Sequence, residues 1–257
     1  MIRVIADHST LERLLDRSSG RKAMNLEPDD HVDSIVHQIL SDVDSRGDTA
    51  LLEYAGILDG NFLDRLEVES SQIAEAIGRL PGDTVNALEL AAGRIADFHK
   101  HGLAIEWFDQ QAGFGSLIRP IDRVGLYVPG GTASYPSTVL MTGIPAKIAG
   151  VPEVILCTPN TSDEVLASAS LAGIDRVFMI GGAQAIAAMA YGTHSIPKVD
   201  KICGPGNAFV AAAKRAVYGM VDIDGIYGPT ETMIIADESA PAPIIAADLL
   251  AQAEHDP

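Results

Sequence analysis

The chain has 257 residues, 35 of them acidic and 18 basic, so it carries a net charge of −17 at pH 7 with 47% hydrophobic and 5% aromatic residues. This hydrophobic content excludes a mainly disordered chain, and the negative charge disfavours nucleic acids and anionic membrane surfaces as partners. Because no segment has the apolar length of a membrane span or the pattern of a signal peptide, we expect a cytoplasmic protein.

The first part of the chain has the pattern of amphipathic helices. Segment 29–48 has apolar residues at steps of three and four, which predicts a helix that ends near Gly47. The residues of this stripe are Val32, Ile35, Val36, Ile39, Leu40 and Val43. Segments 70–82 and 82–102 repeat the pattern, with Ser or Asp near the start and Gly at the end. The first part is therefore predicted to be a helical scaffold.

From Arg123 the pattern changes to short apolar strands, each followed by a turn and an alanine-rich helix. The predicted strands are residues 124–128, 153–157, 176–180, 201–203 and 231–236. Continuously apolar strands that alternate with helices indicate a parallel sheet covered on both faces. The predicted fold class is thus α/β, with a Rossmann-like parallel sheet and a helical N-terminal region.

Three turns that follow predicted strands are rich in glycine: residues 129–131, 181–184 and 203–207. Ligands of such sheets bind at the carboxyl ends of the strands, where glycine lets the backbone approach and the next helix offers N–H groups to an anion. The glycines are consistent with a nucleotide-type ligand and also with simple tight turns. The sequence does not decide between the two, because it contains neither of the nucleotide-binding motifs GxGxxG and GxxxxGK[ST]. The two cysteines, Cys157 and Cys203, lie in apolar runs and are predicted to be buried thiols.

The last helical segment carries Gln252 and His255, which share a helix face at a spacing of three residues. An amide oxygen and an imidazole could form part of a metal site, whereas zinc needs three or four ligands. Taken alone, this spacing is more often that of a solvated helix end than that of a ligand pair.

Several motifs, taken together, closely resemble the histidinol dehydrogenase family in order and spacing over nearly the whole chain. They are VGLYVPGGTASYPSTVLMTGIPAKIAG (124–150), GGAQAIAAMAYGT (181–193), IPKVDKICGPGNAFVAAAKR (196–215), GPTE (228–231) and DLLAQAEH (248–255). The resemblance implies a zinc-dependent homodimer that oxidises L-histidinol, an amino alcohol, to L-histidine. Two hydride transfers to NAD would occur, with L-histidinal as the intermediate.

Carried over by position, the resemblance implies NAD contacts for Tyr127, Gln184 and Asn207. Each has a structural alternative: Tyr127 as a half-buried strand aromatic, and the two amides as caps of the helices that they begin, above all Asn207.

The resemblance also implies a substrate contact for Thr230, and contacts to both substrate and zinc for Gln252 and His255. The histidines His99, His101 and His194 receive no catalytic role.

Two departures limit what the resemblance implies. The family usually has AGPSE where this chain has YGPTE at 227–231, so a paralogue for another diol, such as a sulfonated propanediol, is an alternative. The family's general-base Glu-His pair, and the Asp and His that complete its zinc site, follow QAEH and are not in this chain.

The catalytic residues are therefore expected beyond Pro257, the last residue of the sequence. We expect a truncated portion that contains none of them and is inactive alone. A non-catalytic dinucleotide-binding fragment is the other alternative.

The family's domain plan predicts a discontinuous arrangement. Residues 1–126, continued by 232–257, would form the first domain, and residues 127–231 the Rossmann-like nucleotide-binding domain.

Overall fold

The structure is a computed structural model that describes residues 30–130, 134–227 and 232–253. The described residues up to Tyr227 belong to one compact unit, and residues 232–253 belong to a second. Two of the predicted site residues, Thr230 and His255, lie outside the described residues. Pro257 also lies outside the described residues. The expectation that the catalytic residues follow Pro257 stays a prediction.

The larger unit begins with helices, continues with a small hairpin and ends with an alternating α/β segment. The helices are α1 (Asp30–Arg46), α2 (Asp48–Leu58), α3 (Ser70–Ala76) with a 3-10 turn at Ile77–Arg79, and α4 (Gly82–Lys100). The hairpin consists of β1 (Trp107–Asp109) and β2 (Phe114–Ser116). The alternating segment is β3 (Arg123–Tyr127), α5 (Pro136–Ile148), β4 (Glu153–Thr158), α6 (Asp163–Leu171), β5 (Arg176–Met179), α7 (Gly182–Tyr191), β6 (Lys201–Cys203), α8 (Ala208–Val217) and β7 (Asp222–Ile223).

Strands β3 to β7 form one parallel sheet in the order β5-β4-β3-β6-β7, which confirms the predicted α/β class. The chain first builds outward from β3 through β4 to β5 and then returns to the other side of β3 with β6. The order of strands therefore reverses between β3 and β6, and this reversal is the point at which open α/β sheets bind ligands.

Helices cover both faces of the sheet because each face is apolar. On one face α1 packs on α7 and α8, and on the other face α4, α5 and α6 form the layer. The predicted stripe of α1 is confirmed, since Val36, Ile39, Leu40 and Val43 are buried in the core of the first face. The first half of the chain thus completes the two layers that protect the parallel strands.

Residues 66–68 extend the sheet next to β5 in the antiparallel direction. The Val68 N–H donates to the Val177 carbonyl at 2.8 Å, and the Met179 N–H donates to the Leu66 carbonyl at 2.8 Å. The guanidinium of Arg176 donates to both carboxylate oxygens of Glu67, at 2.7 and 2.8 Å. This bidentate pair fixes the edge segment to β5.

We expect Glu67→Gln to lower the free energy of unfolding by about 1 kcal/mol at neutral pH, because the pair is only partly buried. The hydrogen bond from Arg176 lowers the pKa of Glu67. A lowered pKa stabilises the fold above the pKa of the unfolded chain, and this contribution is lost as the pH falls through the folded value. Urea unfolding should therefore show a difference between variant and parent that shrinks below about pH 4. If the difference in unfolding free energy were the same at neutral pH and below about pH 4, the stabilising role of the Glu67–Arg176 pair would be contradicted.

The smaller unit contains α9 (Ala242–Ala253). The predicted strand at 231–236 is wrong over its described residues, since 232–236 have no regular secondary structure. The apolar pattern there is typical of a strand, but a strand needs a hydrogen-bonded neighbour, and Met233 and Ile235 are 66% and 92% exposed. The predicted domain division stays a prediction, with its boundary after residue 126 falling inside β3.

Within the described ranges, no helix is both long and apolar enough to cross a membrane. Cys157 is fully buried as predicted, and its burial raises the pKa of its thiol. Cys203 is only partly buried, which corrects the prediction, because it is the last residue of the short strand β6. Burial raises the pKa of Cys203 to about 11, so both thiols are protonated and unreactive at neutral pH.

Candidate functional site

A cleft of about 950 Å³ opens at the carboxyl ends of the parallel strands. Its walls come from the end of β3, from the turn after β4 and from the first turns of α7 and α8. The structure brings three predicted contact residues together here, because Tyr127, Gln184 and Asn207 all line the cleft. The volume is that of a small-molecule or cofactor site.

Tyr127 lines the cleft at the end of β3. It is the last residue of β3, it is 3% exposed, and its hydroxyl oxygen accepts a hydrogen bond from the Gly182 N–H at 3.1 Å. Burial raises the pKa of Tyr127 to about 12, so the hydroxyl keeps its proton and can donate. Tyr127 is therefore fully buried and not the half-buried aromatic of the structural alternative, and its hydroxyl can still donate to a ligand in the cleft.

Gln184 is the most informative residue of the cleft. The residue is 1% exposed, and neither its amide oxygen nor its amide nitrogen makes a hydrogen bond of normal geometry with the described residues, although the amide lies close enough to the Asp59 carboxylate to lower the pKa of that group. Buried amides are almost always paired, and an unpaired one costs free energy. An amide in this state at the wall of a cleft is available to pair with water or with a bound ligand.

Asp59, which directly follows α2, was missed by the sequence analysis. One carboxylate oxygen accepts a hydrogen bond from the Gly181 N–H at 3.0 Å. Burial raises the pKa of Asp59, and the Gly181 N–H and the nearby Gln184 amide oppose this in part. The sequence around Asp59 does not indicate a site residue, because Asp-Gly is typical of a turn. The contact between Asp59 and Gly181 joins residues that are far apart in the chain.

Two of the glycine-rich turns close on Pro159 in the turn after β4. A Cβ atom at Gly130 would lie 2.5 Å from Pro159 Cγ, and one at Gly181 would lie 2.9 Å from Pro159 Cβ. The Asn61 side chain holds the same turn by donating to the Pro159 carbonyl at 3.0 Å. The close packing of these turns accounts for Gly130 and Gly181, in agreement with the alternative that the glycines serve tight turns. The same packing shapes the cleft.

The third glycine-rich turn, after β6, is held by a buried ion pair. Gly204 donates its N–H to Asp224 at 2.7 Å and accepts from the Lys214 ammonium at 3.0 Å. Lys214, whose side chain is 3% exposed, is itself paired with Asp224. Gly204 has φ +127°, and a Cβ there would overlap the Tyr127 carbonyl. The pair therefore locks this turn against the end of β3.

Asn207 caps α8, since its side-chain oxygen accepts from the Val210 N–H at 3.1 Å. The capping role considered for this residue is therefore observed, and the residue also lines the cleft with its amide nitrogen still able to donate.

We expect Asn207→Ala to lower the free energy of unfolding by about 1 kcal/mol, because the cap is lost. Asn207→Ser keeps a capping oxygen and should remain within about 0.5 kcal/mol of the parent. Thermal unfolding of the two variants tests this, and equal stability of both would contradict the capping role.

The predicted zinc ligands are only partly described. Gln252 lies in α9 of the smaller unit, and its side-chain oxygen accepts from the Thr232 hydroxyl at 2.9 Å. His255 is outside the described residues. In the part of the chain that the structure describes, no three His, Cys, Asp or Glu residues are grouped to hold a metal. The zinc site stays a prediction.

The family model of histidinol dehydrogenase matches residues 22–257. The chain is 50% identical to the histidinol dehydrogenase of Dehalococcoides mccartyi over 246 residues, which cover 93% of this chain and 56% of the relative. It is 45% identical to that of Lactococcus lactis over 266 residues, covering 100% of this chain and 61% of the relative.

Among solved structures, that of a histidinol dehydrogenase from Elizabethkingia anophelis is similar, with a TM-score of 0.83 and 36% identity. The similarity covers 97% of this chain and 58% of that one. The chain thus spans somewhat more than half the length of the proteins that it matches.

Proposed function

The chain belongs to the histidinol dehydrogenase family, and we propose that it is the NAD-binding portion of an enzyme that oxidises L-histidinol to L-histidine through L-histidinal. The observation that carries this proposal is the buried, unpaired amide of Gln184 in a cleft at the strand-order reversal. A dinucleotide is the ligand that such a cleft in an α/β sheet typically takes.

In this proposal NAD supplies the hydride acceptor, and the chain's own residues bind and orient it. The amide of Gln184 would donate to and accept from polar atoms of the cofactor, and the Tyr127 hydroxyl would donate a further hydrogen bond. The amide nitrogen of Asn207 would contact the cofactor while its oxygen keeps the helix cap. Pro159, with Gly130 and Gly181 packed closely against it, would shape the wall against which the cofactor lies.

We further propose that zinc and the amino alcohol bind with help from Gln252 and His255, and that the substrate contacts Thr230. An amide oxygen and an imidazole nitrogen are both accepted zinc ligands, but they are too few to hold the ion alone. The remaining ligands and the general base would come from the part of the relatives that follows the position of Pro257 and that this chain does not span. A homodimer in the cytoplasm belongs to the same proposal.

A chimera tests the catalytic part of the proposal. Residues 1–257 are joined to the remaining C-terminal portion of the Dehalococcoides mccartyi relative, and NADH formation is followed at saturating NAD and zinc. We expect the chimera to oxidise L-histidinol, as the intact relative should in the same assay, and the 257-residue chain alone to show no turnover. Loss of a general base typically lowers a rate about 10²- to 10⁴-fold.

The assay also separates the alternatives. The substrate is in question because Tyr227 departs from the family pattern. Its ring lies 5.5 Å from the Lys214 ammonium, and its hydroxyl donates a hydrogen bond to the Asp224 carbonyl at 3.0 Å. A chimera that oxidises a sulfonated propanediol but not L-histidinol would overturn the substrate assignment in favour of the paralogue. A folded chimera that binds NAD and oxidises neither alcohol would favour the non-catalytic fragment.

A further inference from the structure

The cleft has an unusual charge for a site that should bind a phosphate-containing cofactor. Of the described residues that line it, Asp59 is the one with an ionisable acidic side chain, and none is Lys, Arg or His. A ligand there meets a carboxylate and no cation. Like charges that are brought together away from water cost several kcal/mol.

The first two N–H groups at the beginning of α7, beside Asp59, already have partners. The Gly181 N–H already donates to the Asp59 carboxylate, and the Gly182 N–H already donates to the Tyr127 hydroxyl. Helix N-termini bind phosphate through these groups. A phosphate at the corner formed by Asp59, Tyr127 and Gln184 would therefore meet two N–H groups that are already engaged and a carboxylate beside them.

The same corner has the polar atoms that recognise hydroxyl groups. The second carboxylate oxygen of Asp59 and the amide oxygen of Gln184 can accept, while the Gln184 nitrogen can donate. A sugar diol donates two protons and also accepts, which matches this set. In dinucleotide-binding folds an acidic residue often accepts from the ribose hydroxyls of NAD, whereas a 2′-phosphate needs a nearby cation.

From this arrangement we propose that Asp59 determines cofactor specificity: the corner of Asp59, Tyr127 and Gln184 holds a sugar hydroxyl group of NAD and rejects its 2′-phosphorylated form, NADP. The inference rests on the proposed function, since it assumes that the cleft binds a dinucleotide. It adds a residue that directly follows α2 and lies outside the glycine-rich motifs.

The stability of the fold does not explain an acidic residue at this position. Burial raises the pKa of Asp59. A raised pKa favours the fold below the pKa of the unfolded chain, and this contribution is lost as the pH rises through the folded value. The ionised carboxylate therefore opposes folding at neutral pH, and an isosteric amide would remove that cost.

Calorimetric titration of the 257-residue chain with NAD and with NADP tests the inference. For the parent we expect a dissociation constant at least 100-fold higher for NADP than for NAD. Asp59→Asn should reduce this ratio at least 10-fold, and its melting temperature at pH 7 should equal or exceed that of the parent. Asp64→Asn, which removes the same charge from an exposed position in the following loop, should leave the ratio unchanged.

The outcomes separate this inference from the proposed function. If the parent binds neither dinucleotide, the proposed cofactor site fails. If the parent binds NAD and Asp59→Asn keeps the parental ratio, only the specificity role is overturned. An equal reduction of the ratio in Asp64→Asn would also overturn it, because the effect would then follow from net charge.

Discussion

Gln184→Leu is expected to raise the dissociation constant for NAD about 100-fold while the free energy of unfolding increases by about 1 kcal/mol. The two effects have one cause, since the amide makes no hydrogen bond of normal geometry within the described protein and the residue is 1% exposed. Leucine has a similar volume and buries no unpaired polar atom, so the free chain gains stability as the cofactor loses its hydrogen bonds. Titration with NAD and urea unfolding measure the two quantities.

Ser168→Ala is the matched control. The Ser168 hydroxyl is also buried and without a partner among the described residues, and it lies on α6 outside the cleft lining. Its removal should increase stability by a similar amount and leave NAD binding unchanged. If Gln184→Leu instead lowered stability and left the affinity for NAD intact, the amide would be a structural group and its assignment to the cofactor would be wrong.

Lys214→Met is expected to lower the free energy of unfolding by about 3 to 5 kcal/mol, the largest loss that we expect for a single substitution here. The substitution leaves Asp224 without its cation and the Gly204 carbonyl without its donor. The Gly204 carbonyl belongs to the turn that is packed against the end of β3, and Asp224 holds this turn from the segment after β7, so the turn should also lose its fixed position and NAD affinity should fall. Urea unfolding and NAD titration measure the two effects.

Lys201→Met provides the comparison on the same side of the sheet. Lys201 pairs with Asp222 at 2.6 Å, but their side chains are 33% and 55% exposed, so its loss should cost no more than about 1 kcal/mol. The double variant Lys214→Met with Asp224→Asn should be less destabilised than the sum of the single variants, because the two residues interact directly. Equal losses for Lys214→Met and Lys201→Met would contradict the role assigned to the buried pair.

The sequence predicted the parts of the fold that depend on local pattern. The stripe of α1 and the strands that became β3 to β6 were recognisable because burial of one helix face, or of both sheet faces, leaves a periodic or continuous apolar pattern. The segment after Thr232 has a strand-like pattern as well, but its conformation depends on whether a neighbouring strand is present. Local pattern does not contain that information.

The candidate site was predictable only in part, and for the same reason. Gly-rich turns marked the correct edge of the sheet, and the family motifs identified Tyr127, Gln184 and Asn207. The isolation of the Gln184 amide, the Asp59 carboxylate on the first turn of α7 and the ion pair of Lys214 all arise from contacts between distant segments. None of these contacts leaves a mark in the local sequence.

The most direct test of the central claim is a crystal structure of the 257-residue chain grown with NAD. We predict electron density for the dinucleotide in the cleft at the carboxyl ends of β3 to β6, with the Gln184 amide hydrogen-bonded to the cofactor. Ordered NAD bound elsewhere on the chain, or a Gln184 amide paired with protein atoms beside an ordered cofactor, would contradict the claim.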